Sequence, residues 1–340
     1  LFSFNLSHAQ LQLDWANNYA STSDSLSNYS TCVDFSTITH VASNGNSLWS
    51  IGSFSTNNDY NHPIDFSQNL NSYGLLSSDY ESCGTSSWAQ KFIKSINPET
   101  GTLNWVRKLD IKGYTRSFIS DNSGNYYISG FINDTTNFNF FDNYPWNDQI
   151  IVPVGVSDGF IAKYNNYGTL IWVKIIEGDG GFTNDVTKIQ DICFDSDNNI
   201  YATGTFRGDY IDFDPGIGTS IEYSSSMGLS YFSDIFILKF NQNGGFEFVK
   251  TFPNTNYAYA YDIDVDIDGN IIFKGAAISE INLDSATDNF NFLSEDVIEL
   301  IVKLDPETNI LWANQTNFKG SDFVSGLVDN YGDYYYHDIF

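Results

Sequence analysis

The stretch Tyr261–Asn270, YDIDVDIDGN, sets four aspartates within seven residues against Ile and Val. Asp264, Asp266 and Asp268 followed by Gly269 copy the opening of an EF-hand calcium loop. That loop requires a bidentate Glu at its twelfth position and a helix on either side. Counted from Asp264, the twelfth residue is Gly275, and the turn runs on into Asn270-Ile-Ile-Phe, a β-type run. Strict alternation of acidic and apolar residues is the period of a strand with one buried and one wet face. Asp-Gly then supplies a tight turn. The stretch reads as a strand closing into a hairpin.

It is also one copy of five. VASNGNSLWSIGSF, ISDNSGNYYISGF, CFDSDNNIYATGTF, DVDIDGNIIFKGA and LVDNYGDYYYHDIF align with Ala42, Asp121, Asp195, Asp266 and Asp329 at one position, spaced 79, 74, 71 and 63 residues apart. Each is a strand, a turn of the form D-x-x-G-N and a second strand. Asp and Asn serve such turns by bonding the backbone and by tolerating left-handed conformations.

Two further motifs share the period. KFIKSINPETGTLNWV, GFIAKYNNYGTLIWV, IFILKFNQNGGFEFV and ELIVKLDPETNILWA each place a lysine (Lys94, Lys163, Lys239, Lys303) before a turn and an aromatic (Trp105, Trp172, Phe248, Trp312) after it. Asn97-Pro98-Glu99-Thr100 and Asp305-Pro306-Glu307-Thr308 are type I turn sequences. Between the hairpins lie PIDFS, NFNFFD, YIDFDPG and EINLD, with Asp65, Asn139, Asp212 and Asn282 in register. One repeat is therefore four short strands, A to D, without helix signals. Tandem four-stranded units predict an all-β fold, a β-propeller of antiparallel blades. LQLDWANNYA, with Trp15 in the aromatic position, reads as a D strand ahead of the first A strand, and the chain ends on a B strand. The expectation is four complete blades plus a partial one, a fragment of a larger propeller truncated at its C-terminus.

DGFIAKYNNYGTLIWVK, DICFDSDNNIYATGTF and YIDFDPG resemble the SBBP-type β-propeller repeats of secreted bacterial proteins, such as those of the Bacteroidetes. The likeness is best from Asp158 to Pro215; the first copy, with Ala42 and the Ser67–Ser87 insertion, diverges most. The resemblance implies a propeller, export, and membership of a larger secreted or cell-surface protein. It implies no catalytic residues, because the family's repeated positions are structural.

Composition narrows the partners. The 340 residues carry 15 Lys plus Arg against 42 Asp plus Glu, a net charge of −27. Such a field repels nucleic acid and anionic lipid. No apolar run is long enough for a transmembrane helix. LFSFNLSHAQ has a short apolar run followed by Ser7-His8-Ala9, the small-residue pattern of a signal-peptidase site, so residues 1–9 read as a signal-peptide remnant and 10–340 as the propeller domain. Cys193, in DICFD, reads as a small buried hydrophobe. In an oxidising compartment Cys32 and Cys83 could pair.

Reactive motifs are sparse. His8, His40, His62 and His337 have no metal-ligand spacing, and nucleophile-elbow, P-loop and dinucleotide patterns are missing from the sequence. Glu177–Gly181, EGDGG, joins strands rather than opening a helix. The candidate hard-cation site is Asp212 with Asp214, two carboxylates on one strand face beside a turn, a weak set for calcium. Long, dissimilar B–C connections are expected to carry recognition. Their aromatics Tyr60, Tyr73, Tyr144 and Trp146 are candidates for stacking on sugar or packing on protein. The expected role is a non-catalytic scaffold or binding module for an extracellular glycan or protein. The alternative is a propeller hydrolase or lyase acting on extracellular polysaccharide, which would gather acids, His or Arg from several blades near the central channel.

Overall fold

The computed structural model describes residues 35–55, 64–65, 75–76, 90–140, 148–178, 185–225, 232–254, 256–284, 290–316, 326–328 and 334–336. They are all-β. Blade 1 contains β1 (Phe35–Ser43), β2 (Leu48–Ser55), the short pair β3 (Ile64–Asp65) and β4 (Leu75–Leu76), then β5 (Gln90–Ile96) and β6 (Leu103–Leu109). Blade 2 contains β7 (Gly113–Ser120), β8 (Tyr126–Ile132), the pair β9 (Thr136–Asn137) and β10 (Ile150–Ile151), β11 (Asp158–Tyr164) and β12 (Leu170–Gly178). Blade 3 contains β13 (Val186–Phe194), β14 (Ile200–Arg207), β15 (Tyr210–Asp212), β16 (Ile221–Tyr223), β17 (Asp234–Phe240) and β18 (Phe246–Phe252). Blade 4 contains β19 (Ala258–Val265), β20 (Ile271–Asn282), β21 (Asn291–Leu304) and β22 (Ile310–Thr316). A last hairpin, β23 (Gly326–Val328) with β24 (Tyr334–Tyr336), follows.

Each blade is an antiparallel meander, A-B-C-D in sheet order as in chain order. The A strands of successive blades pack on one another, β1 on β7, β7 on β13 and β13 on β19. That places every A strand on the inside and fans the blades outward, the propeller arrangement. The sequence-predicted four blades plus an A–B pair are therefore what the described residues form.

The core lies between blades. Tyr126, Ile128, Phe160 and Ala162 pack towards blade 1 with Trp49 and Ile93. Their neighbours Tyr127 and Ile161 pack towards blade 3 with Ile189, Ile200 and Phe236. Period-2 alternation thus serves two apolar faces at once. This is why β8 is buried along its whole length and reads as a near-continuous apolar run.

Candidate functional site

The repeated polar residues are consumed in building turns. Asp121 Oδ1 accepts the Ser123 and Asn125 amides, both at 2.9 Å, and its other oxygen accepts Asn125 Nδ2 at 2.8 Å. Asp195 repeats the set with Asp197 and Asn199, and Asp266 with Asp268 and Asn270. The Asp266 turn, in the stretch that resembled a calcium loop, is thus a side-chain-capped hairpin in which Gly269 adopts φ +81°. In blade 1 the equivalent residue is Asn44, not Ala42: its Oδ1 accepts the Asn46 and Ser47 amides, because this turn is one residue shorter. Asn97, Asn165, Asn241 and Asp305 cap the C–D turns in the same manner.

The lysine repeat needs one correction. Lys163, Lys239 and Lys303 pair across to Tyr127, Tyr201 and Ile272. Lys303 Nζ lies 2.9 Å from Asp266, and Lys163 Nζ lies 5.0 Å from the centroid of the Tyr127 ring. In blade 1 that register position is Ser95, opposite Trp49. Lys94 instead occupies the position of Ala162, Leu238 and Val302, on the other face and only 2% exposed.

Asp212 and Asp214 sit at the base of the B–C hairpin. Asp212 Oδ1 accepts the Asp214 amide at 3.0 Å and the Ser220 amide at 2.8 Å, and Asp214 Oδ1 accepts the Gly216 amide at 2.8 Å. Asn137 Oδ1 does the same for Asn139 and Gln149, and Asn282 Oδ1 for Asp284. The blade equivalent of Asp212 is therefore Asn137 rather than Asn139. Phe213, Phe138 and Leu283, each one residue on, plug the core. An amide serves as well as a carboxylate here, since the oxygen's task is to hold backbone N–H groups. No group of three or more His, Cys, Asp or Glu suited to a metal occurs among the described residues. Tyr60, Tyr73, Tyr144, Trp146, Cys32, Cys83 and residues 1–9 lie outside the described residues.

Two features of this end of the molecule were not expected from the sequence. The first is exposed apolar surface on the B–C connections. In blade 2, Ile150, Val152, Val154 and Val156 are 46–64% exposed, and in blade 3 Ile217, Ile221 and Tyr223 are exposed. Blade 4 departs from the expected long loop, as β20 and β21 stay paired as far as Asn282 with Asn291, with Leu293 exposed.

The second is a bulge in the inner strand of each of blades 1 to 4. Thr39, Arg116, Gln190 and Tyr261 are the extra residues, each beside a B-strand glycine: Gly52, Gly130, Gly204 and Gly275. A bulge bends its strand and re-aims side chains. The next residues are His40, Ser117, Asp191 and Asp262, of which the first three join neighbouring blades. His40 Nε2 bonds the Arg116 carbonyl at 3.0 Å, Ser117 bonds Asp191, and Asp191 Oδ2 accepts the Ile263 amide at 3.1 Å. Asp262 pairs with Lys274 at 3.3 Å. Acids from two blades thus meet near the inner strands, each bonded across blades or within its own.

Burial, then the charge of Asp262, pushes the Asp191 carboxyl well above the usual carboxylate range, against hydrogen bonds from Ser117 and the Ile263 and Ile192 amides. The folded chain keeps this proton at a pH where the unfolded chain has released it. The stability it contributes is present below the ordinary value of 3.8 and is lost as pH rises towards the folded value. Asp191→Asn should therefore be more stable than the parent at pH 7. At acid pH it should match the parent. Urea unfolding at pH 4 and pH 7 tests this, and equal destabilisation at both would contradict it.

No family model matches the chain. Over 256 residues, 64% of its length, it is 23% identical to an uncharacterized WD repeat-containing protein of Acanthamoeba polyphaga mimivirus. It spans 18% of that relative. WD repeats build four-stranded propeller blades, the unit found here. Among solved structures it is similar to the Dos1 propeller, at 10% identity over 87% of this chain and 65% of that one, with a TM-score of 0.36.

Proposed function

We propose that the chain is a non-catalytic β-propeller binding module, of the exported SBBP-repeat type, that contacts an extracellular glycan or protein through its B–C connections. The observation that carries this reading is the division of labour between repeated and unrepeated residues. Repeated Asp and Asn side chains hold turns, whereas the B–C connections differ from blade to blade and leave apolar side chains in water. Clustered exposed apolar surface on a rigid scaffold is the mark of an interaction site.

The test is a set of surface changes read on a panel of immobilised polysaccharides and secreted proteins. Val152→Thr, Val154→Thr and Val156→Thr together are expected to weaken binding about tenfold, roughly 1.4 kcal/mol, with an unchanged melting temperature. If affinity survives these changes and loss of the B–C connections, yet falls when the Asn44 and Asp195 turns are altered, the opposite face binds.

A further inference from the structure

The chain has 15 cationic side chains against 42 acidic ones, yet three cations meet where blades 2 and 3 adjoin. Arg116 is the bulge residue of β7, Lys188 lies near the start of β13, and Arg207 ends β14 opposite Val186. Arg116 and Lys188 flank two stacked rings. Tyr114, 54% exposed, lies on Phe131 with ring centroids 5.0 Å apart. The Arg116 guanidinium is 5.3 Å from the Tyr114 centroid and 5.5 Å from that of Phe131, and Lys188 Nζ is 4.9 Å from the Phe131 centroid.

Chain direction fixes which end of the molecule this is. Gly113 pairs with Ile132, and Val186 with Arg207, at the ends of the A–B hairpins remote from their turns. The cluster therefore lies at the end from which the B–C and D–A connections leave. Neither Arg116 nor Lys188 has a carboxylate partner among the described residues. Burial, followed by the charges of Arg207 and Arg116, lowers the Lys188 ammonium below the ordinary lysine range. Like charges gathered in this way cost folding energy. In a chain rich in acids, pairing Arg116 and Lys188 internally would have been simple.

From this juxtaposition we infer that Tyr114, Arg116 and Lys188, with Arg207 at the margin, form a subsite for an acidic glycan, one bearing carboxylate or sulfate groups. Arginine and lysine supply donors for the oxyanion. The exposed Tyr114 ring supplies a flat apolar face for the sugar, and Phe131 and Arg116 hold that ring in place. The chain's large negative charge does not forbid this, because charges beyond about 8 Å are largely screened at physiological salt. The inference rests on the binding-module reading and names the ligand class for that end of the propeller.

Oligogalacturonate and dextran sulfate serve as carboxylate and sulfate probes, with neutral dextran and polyglutamate as controls, titrated by calorimetry against the full chain. At least one acidic glycan should bind, and Arg116→Gln with Lys188→Gln should weaken it at least about tenfold. Tyr114→Ala, an exposed change, should weaken the glycan several-fold and guards against misfolding of the charge variant. Binding of neither acidic glycan, or equal binding of neutral dextran or polyglutamate, would overturn the inference. So would an acidic glycan whose affinity drops with Val152→Thr, Val154→Thr and Val156→Thr but not with the charge variant, an outcome that leaves the binding-module reading standing. Indifference to both sets of changes would overturn both.

Discussion

Replacing Gly204 by alanine is expected to destabilise the chain by about 3 kcal/mol or more, the upper range for overpacking a core. A Cβ built there lies 1.9 Å from the Lys188 carbonyl oxygen, 2.9 Å from its carbonyl carbon and 3.0 Å from the Phe236 ring. The first two are backbone atoms, so no rotamer change relieves the contact. The contact lies beside the inner-strand bulge, whose extra residue is Gln190. Gly275→Ala supplies a graded comparison, because its Cβ would lie 2.9 Å from the Tyr259 carbonyl oxygen. Urea unfolding should rank the losses Gly204 above Gly275. A Gly204→Ala chain within about 0.5 kcal/mol of the parent, the scatter of an ordinary surface substitution, would mean that the bulge gives way easily and does not fix the blade.

That glycine also marks the limit of what could be read from the chain itself. Gly52, Gly130, Gly204 and Gly275 are visible in the repeats, but the bulge that requires them is a tertiary fact. One extra residue in β7 or β13 leaves no local signal in the alternation, and the interblade bonds of His40, Ser117 and Asp191 depend on it. The turns were legible for the opposite reason. Asp121, Asp195 and Asp266 bond amides two and four residues on, so all partners lie within one short motif.

Register follows the local frame of a strand rather than one residue type. Aligning lysine with lysine put Lys94 beside Lys163. Aligning Phe92-Ile93 with Phe160-Ile161 and Phe236-Ile237 gives the observed register, in which Ser95 is the equivalent. In a strand, a slip of one residue moves a side chain to the other face. The same slip, by two residues, put Asn139 in the place of Asn137. The face carrying recognition was legible only as a contrast between repetitive and unrepetitive connections. The cationic cluster was not legible at all, since Arg116, Lys188 and Arg207 are brought together by blade packing.

Substituting Lys94 by leucine is expected to stabilise the chain by about 2–3 kcal/mol at pH 7. Lys94 lies in β5 at the register occupied by leucine in β17 and valine in β21, and is 2% exposed. Burial lowers its ammonium from 10.5 to about 8. Between those values the unfolded chain binds a proton that the folded chain does not, so stability rises with pH from about 8 to 10.5 and is reduced below that window. A displacement of this size corresponds to about 3 kcal/mol at one pKa unit per 1.4 kcal/mol, less what solvent at the side-chain tip restores. Leucine removes the charge and keeps apolar volume in place, as its counterpart Leu238 does. The gain should therefore be largest at pH 7 and shrink as pH approaches 10.5, a profile that urea unfolding at pH 7, 8.5 and 10 resolves. A leucine variant that is less stable than the parent at pH 7 would show that the Lys94 ammonium organises its neighbours more than its burial costs. A gain independent of pH would assign the effect to packing alone.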